Sequence, residues 1–334
     1  MGAYGGVWKY CGDEQMRDML LSFRLLGDWD WPEEKIMACL FALSNHPEEH
    51  YHCVRVPKRR GGYRVLDVPD RLLKKVQRHI LRHVLEGFSP SPAATAYTRK
   101  SCVLSNAVLH TGKRLVLKMD ICDFFRNITF PMVLHAAFPS PYFPTPVGTM
   151  LTSLCCLKER LPQGAPTSPA VSNLVMRPFD QHMLDWCGER GITYSRYSDD
   201  MTFSGDFDPA AVARKTESFL KAYGLEANRE KTAVCARGSR QSVTGIVVND
   251  KPQVPRDYRR RLRQEIHYCR TYGPEEHLRR QKEGMTAGSG EGETEAYLRS
   301  LLGKVSYLLS VNPEDSWFLE ARRFLREELK KRGD

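Results

Sequence analysis

The sequence predicts an α+β fold built around a ferredoxin-like arrangement of strands and helices. An apolar strand over residues 114–120 ends in a carboxylate, and a long helix follows from about residue 168. A hairpin then turns at Ser198-Asp199-Asp200, and a further helix leads to a strand that contains Lys231. The order strand, helix, two strands, helix, strand is the split β-α-β pattern of ferredoxin-like folds. This pattern identifies a fold and not an activity.

The residues before this unit predict two helices, a hairpin and a third helix. Residues 13–45 hold the first two helices, and Pro32 followed by two glutamates is typical of a helix start. Residues 54–66 alternate around a basic, glycine-containing turn, which indicates a hairpin. A helix follows over roughly 71–86, with apolar residues at four-residue spacing on one face.

Basic charge is concentrated in this same part of the chain. The whole chain has a net charge of +10, yet residues 51–118 alone carry 15 Lys or Arg against 3 Asp or Glu. Residues 1–50 are acidic, with 4 basic and 9 acidic groups. A cationic helix face is often only solvated surface, but here a basic hairpin directly precedes it. We therefore expect contact with a nucleic-acid backbone, with Lys74, Lys75 and Arg78 as candidate contacts.

The loop and helix before the hairpin have recognisable start signals. Ser168 is expected to cap the long helix and Pro169 to be its first helical residue. Just before them, Gln163 offers both a donor and an acceptor. Gly164 would let the backbone approach a ligand closely.

The hairpin turn carries two adjacent carboxylates, Asp199 and Asp200. Like charges at a tight turn are unfavourable, so a cation is expected beside them. An isolated Asp-Asp turn would more simply be an exposed turn, but Asp120 ends a second strand of the same predicted sheet. Asp120 and Asp199 would bridge two Mg²⁺ ions roughly 3.5–4 Å apart, with Asp200 assisting or holding the turn. This arrangement predicts nucleotidyl transfer.

The C-terminal part, residues 246–334, is expected to be helical. It includes an arginine-rich helix over 256–270 and a last helix capped by Asn312. The glycine-rich stretch 284–293 between them is typical of an insertion. Such helices suit recognition of an A-form duplex through its phosphates and 2′-hydroxyls.

The composition argues against a secreted, disulfide-stabilised protein and against a membrane protein. The ten cysteines include no Cys-x-x-Cys pair, which favours reduced thiols in a cytoplasmic protein. No signal peptide and no apolar stretch long enough to span a bilayer is evident, so no membrane partner is expected.

Taken together, these motifs resemble those of reverse transcriptases. Phe124-Phe125 after Asp120, then Gln163-Gly164, then Tyr197-Ser198-Asp199-Asp200, then Lys231 occur in that family's order. Two further motifs resemble the bacterial retron reverse transcriptases in particular. These are Asn106-Ala107-x-x-His110 before the first catalytic strand and Val243-Thr244-Gly245 after the last strand.

The resemblance implies a right-hand polymerase with fingers, a ferredoxin-like palm and a helical thumb. Its parts would be an N-terminal helical extension (1–50), fingers (51–114), palm (115–245) and thumb (246–334). The implied catalytic carboxylates are Asp120, Asp199 and Asp200, with the Ile121 carbonyl as a further ligand of two Mg²⁺ ions.

Further roles follow from the same resemblance. Phe125 would exclude a ribose 2′-hydroxyl, and Lys231 is a candidate proton donor to pyrophosphate. The remaining implied nucleotide contacts are Lys58 or Arg59, Arg64 and Gln163. The implied RNA contacts are Asn106, His110, Val243, Thr244 and Gly245.

Retron enzymes consume dNTPs and copy part of their own structured noncoding RNA, starting from a guanosine 2′-hydroxyl. The product is a branched, RNA-linked single-stranded DNA (msDNA), used with an effector protein in anti-phage defence. Since no stretch resembles an RNase H domain, a host RNase H would remove the RNA. Two alternatives remain: another bacterial lineage, of group II intron-like, diversity-generating or stand-alone defence type, or a chiefly structural RNA-binding scaffold.

Overall fold

The structure, a computed structural model, describes residues 8, 11–27, 30–58, 61–99, 101–282 and 291–332. Its elements in chain order are α1 (Asp13–Ser22), α2 (Glu33–Asn45), β1 (Tyr51–Pro57), β2 (Tyr63–Pro69), α3 (Arg71–His79), α4 (Val103–Val108), β3 (Leu115–Ile121), α5 (Phe124–Asn127), α6 (Phe130–Ala137), α7 (Thr145–Cys155), α8 (Ser168–Gly188), β4 (Thr193–Tyr197), β5 (Asp200–Gly205), α9 (Pro209–Ala222), β6 (Ala227–Ala236), β7 (Ser242–Val243), β8 (Ile246–Val247), α10 (Arg256–Tyr272), α11 (Pro274–Lys282), α12 (Glu291–Val311) and α13 (Ser316–Lys330). A 3₁₀ turn precedes β1, and a π-helical segment, Ile80–Leu85, continues α3.

The chain forms two compact units. Unit 1 contains Met1–Cys102 and Leu115–Val234, and unit 2 contains Val103–Arg114 and Cys235–Asp334. Residues 103–114, expected in the fingers, therefore group with the C-terminal part of the chain. The boundaries predicted for fingers, palm and thumb stay a prediction. No helix in the described ranges is both long and apolar enough to cross a bilayer.

Unit 1 contains the predicted ferredoxin-like sheet, with strand order β4-β5-β3-β6. β5 is antiparallel to both β3 and β4. Apolar side chains of the sheet and of α8, among them Leu117, Phe203 and Phe179, are buried in one core. The helices α1 and α2 add Leu20 and Leu40 to the same core. The mixed polymerase-type α+β fold is thus confirmed, and the N-terminal helices pack on it.

Two local predictions were wrong. Ser168 does not cap α8, because its hydroxyl donates to the Pro162 carbonyl at 2.6 Å. Asn312 does not cap the last helix, since the Asp315 side chain accepts from the Phe318 amide. At Gly164 the structure shows a close approach to protein backbone, since a Cβ there would lie 2.6 Å from the Asp67 carbonyl oxygen. The approach of a ligand at Gly164 stays a prediction.

Unit 2 combines a small hairpin with the C-terminal helices. β7 and β8 pair antiparallel and contact α4. The helices α12 and α13 pack on each other, with Leu301, Val305, Phe318 and Leu325 fully buried between the helices of this unit. The predicted glycine-rich insertion lies mostly outside the described residues, and α12 begins at Glu291.

Candidate active site

Three carboxylates meet at one edge of the unit 1 sheet. Residues Ser198, Asp199 and Asp200, here called the carboxylate turn, connect β4 to β5. Asp120 is the register partner of Asp200 across the β3–β5 ladder. The next amide, that of Ile121, donates to the Asp199 carbonyl at 3.1 Å. The sheet therefore brings Asp120, Asp199 and Asp200 together, as the sequence predicted.

Crowding of negative charge raises the pKa of the turn carboxyls. Desolvation, followed by the charges of Asp199 and Asp120, raises the pKa of Asp200 to about 6. Residue 200 as a whole keeps exposed surface, but like-charge repulsion acts in the same direction as desolvation. The pKa of Asp199 is also raised, by desolvation and then by Asp120. A nearby cation would therefore favour the ionised forms of these carboxyls.

Lys231 supplies one such cation from β6. Its Nζ donates to Oδ1 of the buried Asp120 at 2.8 Å. This hydrogen bond is the main cause of a raised pKa at Lys231. One oxygen of Asp120 is therefore engaged by an ammonium group.

The carboxylates border a cavity of about 400 Å³ that contains most of the predicted nucleotide contacts. Its lining includes the predicted residues Lys58, Arg64, Asp120, Ile121, Phe125, Gln163, Asp199 and Lys231. Asp200 is not part of this lining, and Arg59 lies outside the described residues. Both cationic and carboxylate side chains line this cavity, a combination that suits a metal-bound polyphosphate.

The polar lining residues that sequence reasoning did not assign include Tyr63, Arg126 and Asn228. Each stands within three positions of a predicted contact, so proximity along the chain was an available signal. Tyr63 is adjacent to Arg64, and Arg126 follows Phe125.

The loop that carries Gln163 is held by backbone contacts. The Asp67 amide of β2 donates to the Gln163 carbonyl at 2.9 Å. Gly164, with a φ of 138°, follows directly and permits this close approach of loop and strand. Strand β2 and the loop are thus fixed side by side at the cavity.

The oxygen donors at this edge match a hard divalent ion. Carboxylates of Asp120 and Asp199 and the nearby Ile121 residue all line the cavity. Burial first, and then the neighbouring carboxylates, raise the pKa values of Asp199 and Asp200, and a bound cation would favour their ionised forms. Within the described ranges no three His, Cys, Asp or Glu side chains stand in ready metal-ligand geometry. The residue chemistry therefore fits a divalent metal, while Lys231 occupies one carboxylate oxygen.

The predicted basic contacts of α3 lie along one groove. Lys74, Lys75 and Arg78 line a concavity of about 520 Å³ together with His52, Arg71, His79 and Arg82. Its single acid, Asp70, is 2.7 Å from His50 and also caps α3 by accepting from the Leu73 amide. The groove is therefore strongly cationic.

The predicted retron motifs meet in unit 2. Asn106, His110 and Val243 are completely buried. Thr244 and Gly245, with φ values of 48° and 84°, form the two-residue turn of the β7–β8 hairpin. The Thr244 hydroxyl donates to the Val103 carbonyl at 2.8 Å, which ties this turn to α4.

Comparison with known proteins places the chain in a family. Residues 56–268 match the family described as reverse transcriptase (RNA-dependent DNA polymerase). The chain is 35% identical over 295 residues to the retron Mx65 reverse transcriptase of Myxococcus xanthus, covering 82% of this chain and 64% of that protein. It is 33% identical over 221 residues to the retron Ec86 reverse transcriptase of Escherichia coli, covering 65% of this chain and 69% of that protein. It thus spans about two thirds of the length of each.

Among solved structures, telomerase from Candida albicans in complex with a TWJ fragment of telomeric RNA aligns at a TM-score of 0.45 and 10% identity. That alignment covers 84% of this chain and 63% of the telomerase chain.

The family match extends over more than half of the chain and includes all three carboxylates. The chain therefore belongs to the reverse transcriptases, and within them to the retron reverse transcriptases of bacteria.

Proposed function

We propose that this retron enzyme copies part of its own structured RNA into msDNA at the cavity described above. The observation that carries the proposal is the convergence of Asp120, Asp199 and Asp200 beside a cavity that Lys58, Arg64 and Lys231 also line. A nucleotide polyphosphate needs both features, because its charge must be neutralised and its α-phosphorus held in line with the attacking hydroxyl.

Lys58 and Arg64 bind the triphosphate of an incoming dNTP. The guanidinium of Arg64 offers a planar pair of donors, whereas Lys58 acts as a point charge. Phe125 lies under the sugar and excludes a ribose 2′-hydroxyl by steric conflict, and Gln163 holds the nucleotide and the template strand. All four side chains line the same cavity.

Asp120, Asp199 and the Ile121 carbonyl would hold the metal ions, with Asp200 assisting. When bound, two Mg²⁺ ions supply activation of the attacking hydroxyl and neutralisation of the leaving pyrophosphate. Lys231 orients Asp120 through its 2.8 Å hydrogen bond. Its ammonium, raised in pKa, stays protonated at neutral pH and is available to donate a proton to pyrophosphate.

The RNA partner is bound at two surfaces. The groove of α3, with Lys74, Lys75 and Arg78, holds phosphates without reading bases. In unit 2, the exposed Gly245 and its neighbour Thr244 present the hairpin backbone to the structured RNA. The buried Asn106, His110 and Val243 act by holding that hairpin in shape.

The biological role follows from the retron family. DNA synthesis starts from a guanosine 2′-hydroxyl of the bound RNA and consumes dNTPs. A host RNase H removes the copied RNA, and an associated effector protein uses the resulting msDNA in anti-phage defence. The retron relatives at 35% and 33% identity support this role.

Sequencing of the nucleic acid that co-purifies with the full chain tests the proposal. Wild type is expected to carry one structured RNA covalently joined to DNA, and Asp199→Asn/Asp200→Asn is expected to carry the same RNA without DNA. RNA alone in both proteins would favour a structural RNA-binding scaffold. DNA attached in both would show that the carboxylates are dispensable and would overturn the proposal.

A further inference from the structure

A fully buried ion pair lies directly beneath the carboxylate turn. Arg196 of β4 and Asp180 of α8 are both 0% exposed. The guanidinium binds the carboxylate with two donors, Nε to Oδ1 at 2.8 Å and Nη2 to Oδ2 at 2.6 Å. This two-pronged geometry directs the remaining amino group, Nη1, toward the turn.

Nη1 of Arg196 donates to the Ser198 carbonyl at 2.8 Å. Ser198 has a φ of 63°, a left-handed conformation that is costly for a residue with a side chain. Such a conformation persists only where the surroundings determine it. The Arg196 hydrogen bond is one such determinant, because it fixes the direction of the strained peptide.

The peptide on the other side of Asp199 is also held. Its carbonyl accepts from the Ile121 amide at 3.1 Å. The Ser198 carbonyl is thus held by Arg196 of the ion pair, and the Asp199 carbonyl is held by the strand that carries Asp120. This double attachment sets the direction of the Asp199 side chain relative to Asp120.

The ion pair has its own support. The Tyr194 hydroxyl donates to Oδ1 of Asp180 at 2.9 Å. Asn173 of α8 accepts from Nη1 of Arg196 at 3.3 Å and donates to the Ala96 carbonyl at 2.8 Å. The backbone of Arg196 also bonds to residues 93 and 95. The guanidinium of Arg196 is thus held by α8 and its backbone by the loop at residues 93–95.

Stability alone is a poor explanation for this pair. Desolvating two charges costs about as much as their attraction returns, and well-packed apolar replacements are often neutral or stabilising. Lysine cannot substitute for arginine here, because one ammonium cannot bind a carboxylate with two donors and also reach a carbonyl beyond it. The geometry of the turn is the property that specifically requires Arg196.

We propose that Arg196, held by Asp180, is a positioning residue for nucleotidyl transfer that sets the carboxylate turn in its reactive geometry. This inference rests on the proposed function and deepens it. Arg196 is fully buried and does not line the cavity. It acts through the Ser198 carbonyl and so governs the distance and angle between Asp199 and Asp120.

Two variants and one control separate positioning from general stabilisation. Arg196→Lys keeps the charge and loses the forked geometry. Arg196→Met/Asp180→Leu/Tyr194→Phe replaces the polar cluster by apolar groups of similar volume. The control, Gln77→Leu, removes a buried side chain of the same unit that bonds to Tyr51 and Leu154, away from the turn.

Four quantities are measured. They are the single-turnover rate of dTTP addition to oligo(dT) on poly(rA), the active-site concentration from the burst amplitude, the thermal unfolding temperature, and the hydrogen-exchange rate of the Ile121 amide.

We expect both Arg196 variants to lose about 100-fold in the rate per active site, with little change in the Kd for dTTP. Ile121 should exchange faster in both. The triple variant should unfold near the wild-type temperature. Gln77→Leu should lower the unfolding temperature and keep the rate.

A triple variant that folds and retains the wild-type rate per active site would overturn the inference. So would an Arg196→Lys variant with wild-type rate and wild-type exchange at Ile121, which keeps the test decisive if the triple variant does not fold. Equal rate losses in Gln77→Leu at a matched drop in unfolding temperature would reduce Arg196 to a structural role. Absence of DNA synthesis by the wild-type protein would instead overturn the proposed function.

Discussion

At the scale of single residues, the ionised carboxylates of the carboxylate turn lower the stability of the folded protein. Asp200 has a pKa raised to about 6 because its ionised form is desolvated and lies near two other carboxylates. The folded state therefore binds a proton more tightly than the unfolded state, and stability falls as pH rises from about 4 through 6. Above that window the ionised side chain is a steady destabilising element.

Asp200→Asn is accordingly expected to stabilise the protein at pH 7.5 while impairing DNA synthesis. After a discount for solvent screening at this exposed residue, the free energy of unfolding should increase by roughly 1 kcal/mol at pH 7.5. This increase should vanish near pH 4, where the wild-type carboxyl is protonated. Denaturant unfolding at both pH values checks this, with the exposed Asp250→Asn as control. A loss of stability at pH 7.5 would contradict the charge-crowding account.

His110 gives the opposite pH dependence. Burial first, and then the charge of Lys113, lowers its pKa to about 4. The unfolded state thus binds the additional proton between about pH 4 and 6.5, so stability rises with pH across that window. Between the two ends of this pH window, the free energy of unfolding is expected to change by about 3 kcal/mol. His110→Gln should flatten this part of the stability profile, and an unchanged slope in that variant would show that His110 titrates normally.

At the scale of elements, the β7–β8 hairpin depends on the backbone of its turn. Gly245 has a φ of 84°, and a Cβ added there would meet only open space, so Gly245→Ala introduces strain without a steric clash. We expect a loss of about 1–2 kcal/mol in stability and weaker RNA binding. Gly238→Ala is a matched control, since Gly238 also has open space and no positive φ. Equal effects of the two substitutions would argue against a special turn.

The helix α3 presents a cationic groove that we propose binds RNA phosphates, and the salt dependence of RNA affinity measures its contribution. Lys74→Gln/Lys75→Gln/Arg78→Gln should reduce the slope of log affinity for RNA against log salt concentration by about 2–3. The control changes the same amount of charge on α9, with Arg214→Gln/Lys215→Gln/Lys221→Gln. If the slope is the same in wild type and in the α3 variant, the groove does not contact RNA.

At the scale of the whole molecule, the order of the sheet strands with α8 and α9, and the carboxylate cluster, were predictable from the sequence. Alternation around Asp199 and the strand ending at Asp120 are local signals, and the structure pairs Asp120 with Asp200. The helices α6 and α7 were not assigned, because residues 130–155 contain several prolines and no clean amphipathic period. The cap assignment at Ser168 failed because its hydroxyl donates to the Pro162 carbonyl instead. The assignment at Asn312 failed because the Asp315 side chain accepts from the Phe318 amide in the first turn of that helix.

Long-range pairing was the part that the sequence did not reveal. Arg196 reads as one polar residue in a half-buried strand, and its partner Asp180 lies on a helix 16 residues earlier. The burial of Asn106 and His110 depends in the same way on packing between α4 and the hairpin. Such contacts are set by tertiary packing and not by local propensity.

The central claim is that the three carboxylates act together in DNA synthesis on an RNA template. The most direct measurement is primer extension on poly(rA)·oligo(dT) by wild type and by Asp120→Asn, with RNA affinity and unfolding temperature measured on the same preparations. We expect Asp120→Asn to fold and bind RNA normally while its extension rate falls by about 1,000-fold or more. Extension by Asp120→Asn at the wild-type rate would contradict the claim.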